Sequence, residues 1–171
     1  MYIQLNNCYT FVPTNFVVIN MRIEDITKSN TELPLAKKTL LNLMYTQNCI
    51  SERFNEILKN YDLSAEQFNV LRILKGQKGN PVNMSDIQER MIAKTSNTTR
   101  LVDKLLLKGL CTREVCPDNR RKIEVLITEK GIKLLDVINP EVNNFETKNV
   151  ENLTHNELET LNNLLEKLRK Q

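Results

Sequence analysis

The sequence of 171 residues predicts a mainly α-helical fold with one small β-hairpin. Three observations lead there. Four glycines, no tryptophan and 5% aromatics leave Leu, Ile and Val to supply most of the apolar content, which suits packed helices better than a sandwich or barrel. Apolar residues recur at helical spacing over most of the chain. Between Leu110 and Ile127 that period changes from 3.6 to 2, as two short strands require. The length is that of about one domain, enough for a core without disulfides or metals.

The elements follow in order. Pro34 suits the first turn of a helix, and Leu40, Leu43, Met44, Ile50, Phe54, Ile57 and Leu58 keep the period to about Asn60. Ser64 with Gln67 is a capping box and opens a second helix through Phe68, Leu71, Ile73 and Leu74, ended by Gly76 to Pro81. Ser85 with Gln88 repeats the signal for a short third helix carrying Ile87 and Met91. Thr95 or Ser96 caps a fourth, with Thr98, Leu101, Val102, Leu105 and Leu106 inward; Gly109 stops it as a left-handed C′ residue. Strands over Leu110 to Val115 and Lys122 to Ile127 flank a turn-rich polar tip. Thr128 caps the next helix, with Ile132, Leu135 and Ile138 inward, and Pro140 is expected to kink or break it. Thr154 and Glu157 form a capping box on the last helix, with Leu153 and Leu158 at the staple positions. Leu158, Leu161, Leu165 and Leu168 then repeat at 3-4-3 spacing, the pattern of a helix packing on another helix.

Charge is uneven. The formal net charge is +3, yet residues 83–122 hold nine Lys and Arg against five acids, so the whole positive excess sits in that segment, as a local nucleic-acid footprint requires. Residues 1–20 carry no charged side chain and include Asn6, Asn7 and Pro13; they fit neither a secretory signal nor a membrane span, and Met21 is an alternative start. Four unevenly spaced cysteines without an export signal read as reduced thiols of a cytoplasmic protein.

A short helix, a tight connection, a polar-faced helix and a hairpin with a basic tip together make a winged helix-turn-helix. The second helix of such a unit enters the major groove by its N-terminal end. The outward residues Ser96, Asn97, Thr99, Arg100 and Lys104 supply hydrogen-bonding groups for bases or phosphates. Arg120 and Arg121 at the wing tip suit phosphates or a narrow minor groove.

From about Leu63 to Gly131 the chain resembles the multiple antibiotic resistance regulator (MarR) family of bacterial repressors. The match is carried by Ser85-Asp86-Ile87-Gln88, by Thr99 to Leu105 running into Lys108-Gly109-Leu110, by Arg113, by Pro117-Asp118-Asn119-Arg120-Arg121, and by Thr128-Glu129-Lys130-Gly131. The resemblance implies an obligate homodimer joined by the first helix and the last two. It also implies two wings straddling a palindrome in double-stranded DNA, Arg121 in the minor groove, and a small aromatic effector between the dimer helices and the winged domain. Asn119 departs from the acid that commonly precedes the arginines, and Thr98 stands where an apolar residue is usual. The expected organisation is a loosely ordered extension over 1–33, a helical dimerisation region over 34–60 and 141–171 that uses Leu158, Leu161, Leu165 and Leu168, and a winged helix-turn-helix DNA-binding domain over 61–140.

Other classes fit less well. An enzyme lacks its machinery: the single histidine, His155, has no acid-base partner in the pattern, and Gly76 and Gly79 lack the rest of a phosphate loop. Cys111 and Cys116 have no second pair to complete a zinc site, and no cofactor is implied. A winged helix used only for protein contact is opposed by the polar recognition face and the paired wing arginines. A thiol-based redox sensor would use Cys116 beside the wing, since the position near Leu40, where some family members carry a peroxide-sensing cysteine, has none here; Cys49 reads as core or dimer-facing.

Overall fold

The computed structural model describes residues 21–94, 97–115 and 123–170, and divides the chain into two compact units, Met1–Arg53 and Phe54–Gln171. Ten elements lie in these residues. They are α1 (Ile23–Ile26), α2 (Leu35–Lys59), α3 (Ala65–Gly76), β1 (Val82–Asn83), α4 (Met84–Arg90), α5 (Thr98–Leu107), β2 (Cys111–Val115), β3 (Ile123–Ile127), α6 (Glu129–Val150) and α7 (His155–Arg169).

In the first unit α1 forms in a stretch expected to be loose. Its Ile23 and Glu24 are buried. The Glu24 carboxylate meets the Lys38 ammonium at 2.8 Å, and that hydrogen bond holds it below the usual carboxylate range. Most of α2 belongs here. Its Leu35, Leu40, Met44 and Ile50 are exposed, and Leu40 and Met44, four residues apart, share one face that the described residues leave uncovered.

The second unit has one core, built on Leu58, Phe68, Leu71, Ile87, Leu105 and Leu135 among others. Phe54 packs edge-on to Phe68 and stacks on Phe145, with ring centroids 5.7 and 5.5 Å away. The sheet order is β1-β3-β2, antiparallel throughout, with Arg113 opposite Val125 and Val82 on its other side. Strand β1 has no signature in the sequence, because two residues show no period.

Several caps form as the sequence indicates. Ser64 accepts from the Gln67 amide while Gln67 reaches back to the Ser64 amide, and Thr154 and Glu157 do the same for α7. Gly109 has φ of +67°, and the Leu110 and Gly109 amides donate to the Leu105 and Leu106 carbonyls at 3.0 and 2.9 Å, the two bonds of a Schellman ending.

Four expectations need correction. Asn83, not Ser85, caps α4: its Oδ1 accepts from the Asp86 amide at 2.9 Å, and the Ser85 hydroxyl donates to the same oxygen. Asn97, not Thr95 or Ser96, caps α5. Pro140 does not break α6, which runs on to Val150; Leu135, Ile138 and Val142 are buried on both sides of it, and their packing outweighs the one backbone bond proline removes. Ile132 is 37% exposed instead of inward. Gly131 takes the inward place because α6 starts so close to the end of α5: a Cβ there would clash with the Leu110 carbonyl oxygen and lie 2.8 Å from Ile127 Cγ1.

Candidate nucleic-acid interface

The face of α5 divides as its period dictates. Thr98, Val102 and Leu105 are buried, while Thr99, Arg100, Asp103 and Lys104 are exposed, as is Asn97 just before the helix. The inner face anchors the helix on the core, so the outer one projects as a rigid polar strip. Asn97 is tied more closely than a free reader would be, since its Oδ1 accepts from the Arg100 amide at 3.1 Å. Its side-chain N–H groups remain for an acceptor. Ser96, Arg120 and Arg121, and with them the wing tip and Cys116, lie outside the described residues.

Beside this strip the structure forms two charge pairs whose partners sequence patterns did not supply. Arg113 on β2 meets Asp103 at 2.8 Å, bracing the base of the wing against α5. On the opposite flank the Lys108 ammonium reaches the Asp62 carboxylate at 3.0 Å and its carbonyl. Leu107, on the outer face, is 89% exposed. An open groove of about 460 Å³ beside Lys104 is lined by Lys59, Leu63, Ser64, Gln67 and Lys108. Opposite charges ten and forty-six residues apart carry no local signal, so only the fold pairs them.

The Thr128-Glu129-Lys130-Gly131 segment locks the hairpin to the end of α5. The Thr128 hydroxyl donates to the Gly109 carbonyl at 2.8 Å and accepts from the Gly131 amide at 3.1 Å, its amide donates to the Leu110 carbonyl, and Lys130 Nζ donates to the Lys108 carbonyl at 2.7 Å. A hydroxyl is needed as donor and acceptor, and glycine for the close approach.

The leucine row of α7 is open in the single chain. Leu158 and Leu165 are half-buried, Leu161 and Leu168 are 42% and 52% exposed, and Leu164 adds to the strip. His155 is exposed beside Glu159. Among the described residues no cluster of His, Cys, Asp or Glu is arranged to hold a metal ion, and no helix is long and apolar enough to cross a membrane. Burial pushes the Cys111 thiol up to about 11, helped by the nearby Asp103 carboxylate.

The family model described as "MarR family" matches residues 63–123, from just before α3 to the start of β3. The HTH-type transcriptional regulator YpoP of Bacillus subtilis is 33% identical over 143 residues, which are 84% of this chain and 98% of that protein. The chain belongs to the MarR family. MarR-family proteins are transcriptional regulators, not enzymes, and the winged helix-turn-helix seen here is their fold. A MarR-like transcription regulator from Bacillus cereus superposes with a TM-score of 0.70 at 25% identity, over 79% of this chain and 96% of that one. A cysteine-to-serine mutant of MarR from Escherichia coli, in complex with operator DNA, superposes with a TM-score of 0.69 at 24% identity, over 81% and 99%; at that identity the likeness concerns the fold.

Proposed function

We propose that this MarR-family regulator is a repressor that binds a pseudo-palindromic operator as a homodimer. The observation that carries the reading is the outer face of α5, where Thr99, Arg100 and Lys104 stand exposed over a buried apolar face, with Asn97 at its entry. Arg100 suits a guanine and Thr99 a base or phosphate. Asn97 offers its N–H groups to an acceptor. Ser96 joins them, Lys104 and Arg120 contact phosphates, and Arg121 enters a narrow A·T-rich minor groove, where negative potential favours a guanidinium. The uncovered leucines of α7 support dimerisation. Two recognition helices in successive major grooves lie about 34 Å apart, so half-site centres should be about 10 base pairs apart. A small aromatic effector bound between the dimer helices and the winged domain would relieve repression.

Selection of bound duplexes from a randomised library, with wild type and Arg100→Ala in parallel, tests this. The wild type should enrich a pseudo-palindrome. Arg100→Ala should lose roughly 1–3 kcal/mol and relax preference at one position in each half-site. The same consensus from both proteins would remove Arg100 from base reading.

A further inference from the structure

The crossing of α4 and α5 contains a part-buried polar grip beside its apolar contacts. The inner face of α5 is formed by Leu101, Val102 and Leu105 together with Thr98, which is only 5% exposed. A hydroxyl buried there without a partner is costly. Thr98 Oγ1 donates to Gln88 Oε1 on α4, so its hydroxyl is satisfied. The other end of the same amide is also committed, since Gln88 Nε2 donates to the Lys94 carbonyl at 2.6 Å. The Lys94 ammonium in turn donates to the Glu89 carbonyl. One side chain thus holds the last turn of α4, the connection after it and the first residue of α5.

We propose that Gln88 is a positioning residue for the recognition helix, setting the height and rotation at which Asn97, Thr99 and Arg100 meet DNA. The proposal rests on α5 being the base-reading helix. Apolar contacts are non-directional and tolerate sliding, whereas hydrogen bonds weaken steeply when bent. An amide bonded at both ends therefore fixes a helix more narrowly than the packing around it. The grip lies at the N-terminal end of α5, where a small displacement changes the approach of every reading side chain. Thr98 is the polar member of that inner face, and the Gln88 carbonyl supplies the acceptor it needs.

The test uses the full chain as wild type, Gln88→Ala, Thr98→Val and the double variant. Each is titrated with the duplex that the wild type enriches from a randomised library and with a scrambled duplex of the same composition. Thermal melts run alongside. Gln88→Ala should lower the ratio of selected to scrambled affinity about tenfold or more, at the low end of one lost bidentate base contact. Scrambled affinity is set by phosphates and should hold. The double variant orphans neither polar group, so it should regain thermal stability while its ratio stays low. A ratio that recovers with stability in the double variant would show a structural role only and overturn the proposal. So would a wild-type ratio in Gln88→Ala. If Gln88→Ala does not fold, Gln88→Glu, which keeps the acceptor for Thr98 and loses the donor to Lys94, takes its place in the same comparison. An unchanged Gln88→Ala ratio beside a collapsed Arg100→Ala ratio sinks this proposal alone. A wild type with no preference among duplexes sinks the base-reading role of α5, and the proposal with it.

Discussion

Arg113 Nη1 lies 2.8 Å from Asp103 Oδ1, joining the first strand of the wing to the flank of the recognition helix. Both side chains are well exposed, so the pair contributes only about 0.2–1 kcal/mol to stability. Its larger effect is electrostatic. Asp103 stands on the same exposed face as Arg100 and Lys104, where an unpaired carboxylate would repel phosphate. Arg113→Ala should change unfolding free energy by no more than about 1 kcal/mol and weaken all duplexes alike. Adding Asp103→Asn should restore much of that affinity. Anisotropy titrations of the single and double variants measure the coupling, and additive losses would mean that Arg113 contacts DNA independently.

Gly131→Ala should destabilise the protein although alanine is the better helix former. The propensity gain is about 1 kcal/mol. The added methyl meets the Leu110 carbonyl oxygen and the Ile127 side chain, and overpacking of this kind costs about 1–3 kcal/mol. Backbone lies on one side, so relief requires α6 to move away from the hairpin. Urea denaturation gives the sign, and a stabilised Gly131→Ala would show that α6 can make that move cheaply.

Local signals in the sequence survived where their partners are local. Ser64, Thr128 and Thr154 bond amides three residues on, and Gly109 answers to backbone conformation alone, so each is legible from spacing. Ser85 with Gln88 had the same spacing and misled. The Gln88 side chain is taken by Thr98, ten residues ahead, and Asn83 takes the cap in its place. The break allowed for at Pro140 does not occur, because proline's penalty is local while the packing that overrides it comes from α3 and the core. The polar face of α5 was legible from its helical period. Its flanking pairs with Arg113 and Asp62 were not, because nothing short of the tertiary fold brings those charges together.

Cys111 should behave as an inert thiol at neutral pH and as a stability determinant in alkali. Desolvation, with Asp103 as the lesser cause, raises it from 9.0 to about 11. Below pH 9 the thiol is protonated in folded and unfolded chains, and its contribution is fully present. As pH rises from about 9 to about 11 the unfolded chain loses the proton first, so stability falls by up to about 2–3 kcal/mol. Cys111→Ala should be less stable at neutral pH through lost packing, yet show a shallower decline over that window. Denaturation at pH 8, 9.5 and 10.5 separates the two effects, and equal slopes would show that the alkaline decline comes from other groups.

The leucines of α7 give the sharpest test of assembly. Leu161 and Leu168 are 42% and 52% exposed in the single chain, so changing them removes little from its own core. An apolar strip of this length on a lone chain is an interaction surface or an aggregation hazard. A two-fold axis lets the strip cover itself, because an isologous interface uses one patch on both subunits. Leu161→Glu with Leu168→Glu should therefore give a folded monomer, with four buried charges opposing any dimer. Sedimentation velocity gives the mass, and circular dichroism shows whether the helices remain. The wild-type melting temperature should rise with protein concentration, as expected when folding and association are linked, and the variant's should not. Operator affinity should fall with the dimer, since one recognition helix holds only half of a palindrome. A dimer that persists in the double variant would place the interface elsewhere, and the exposed pair Leu40 and Met44 on one face of α2 would then be the surface to disrupt.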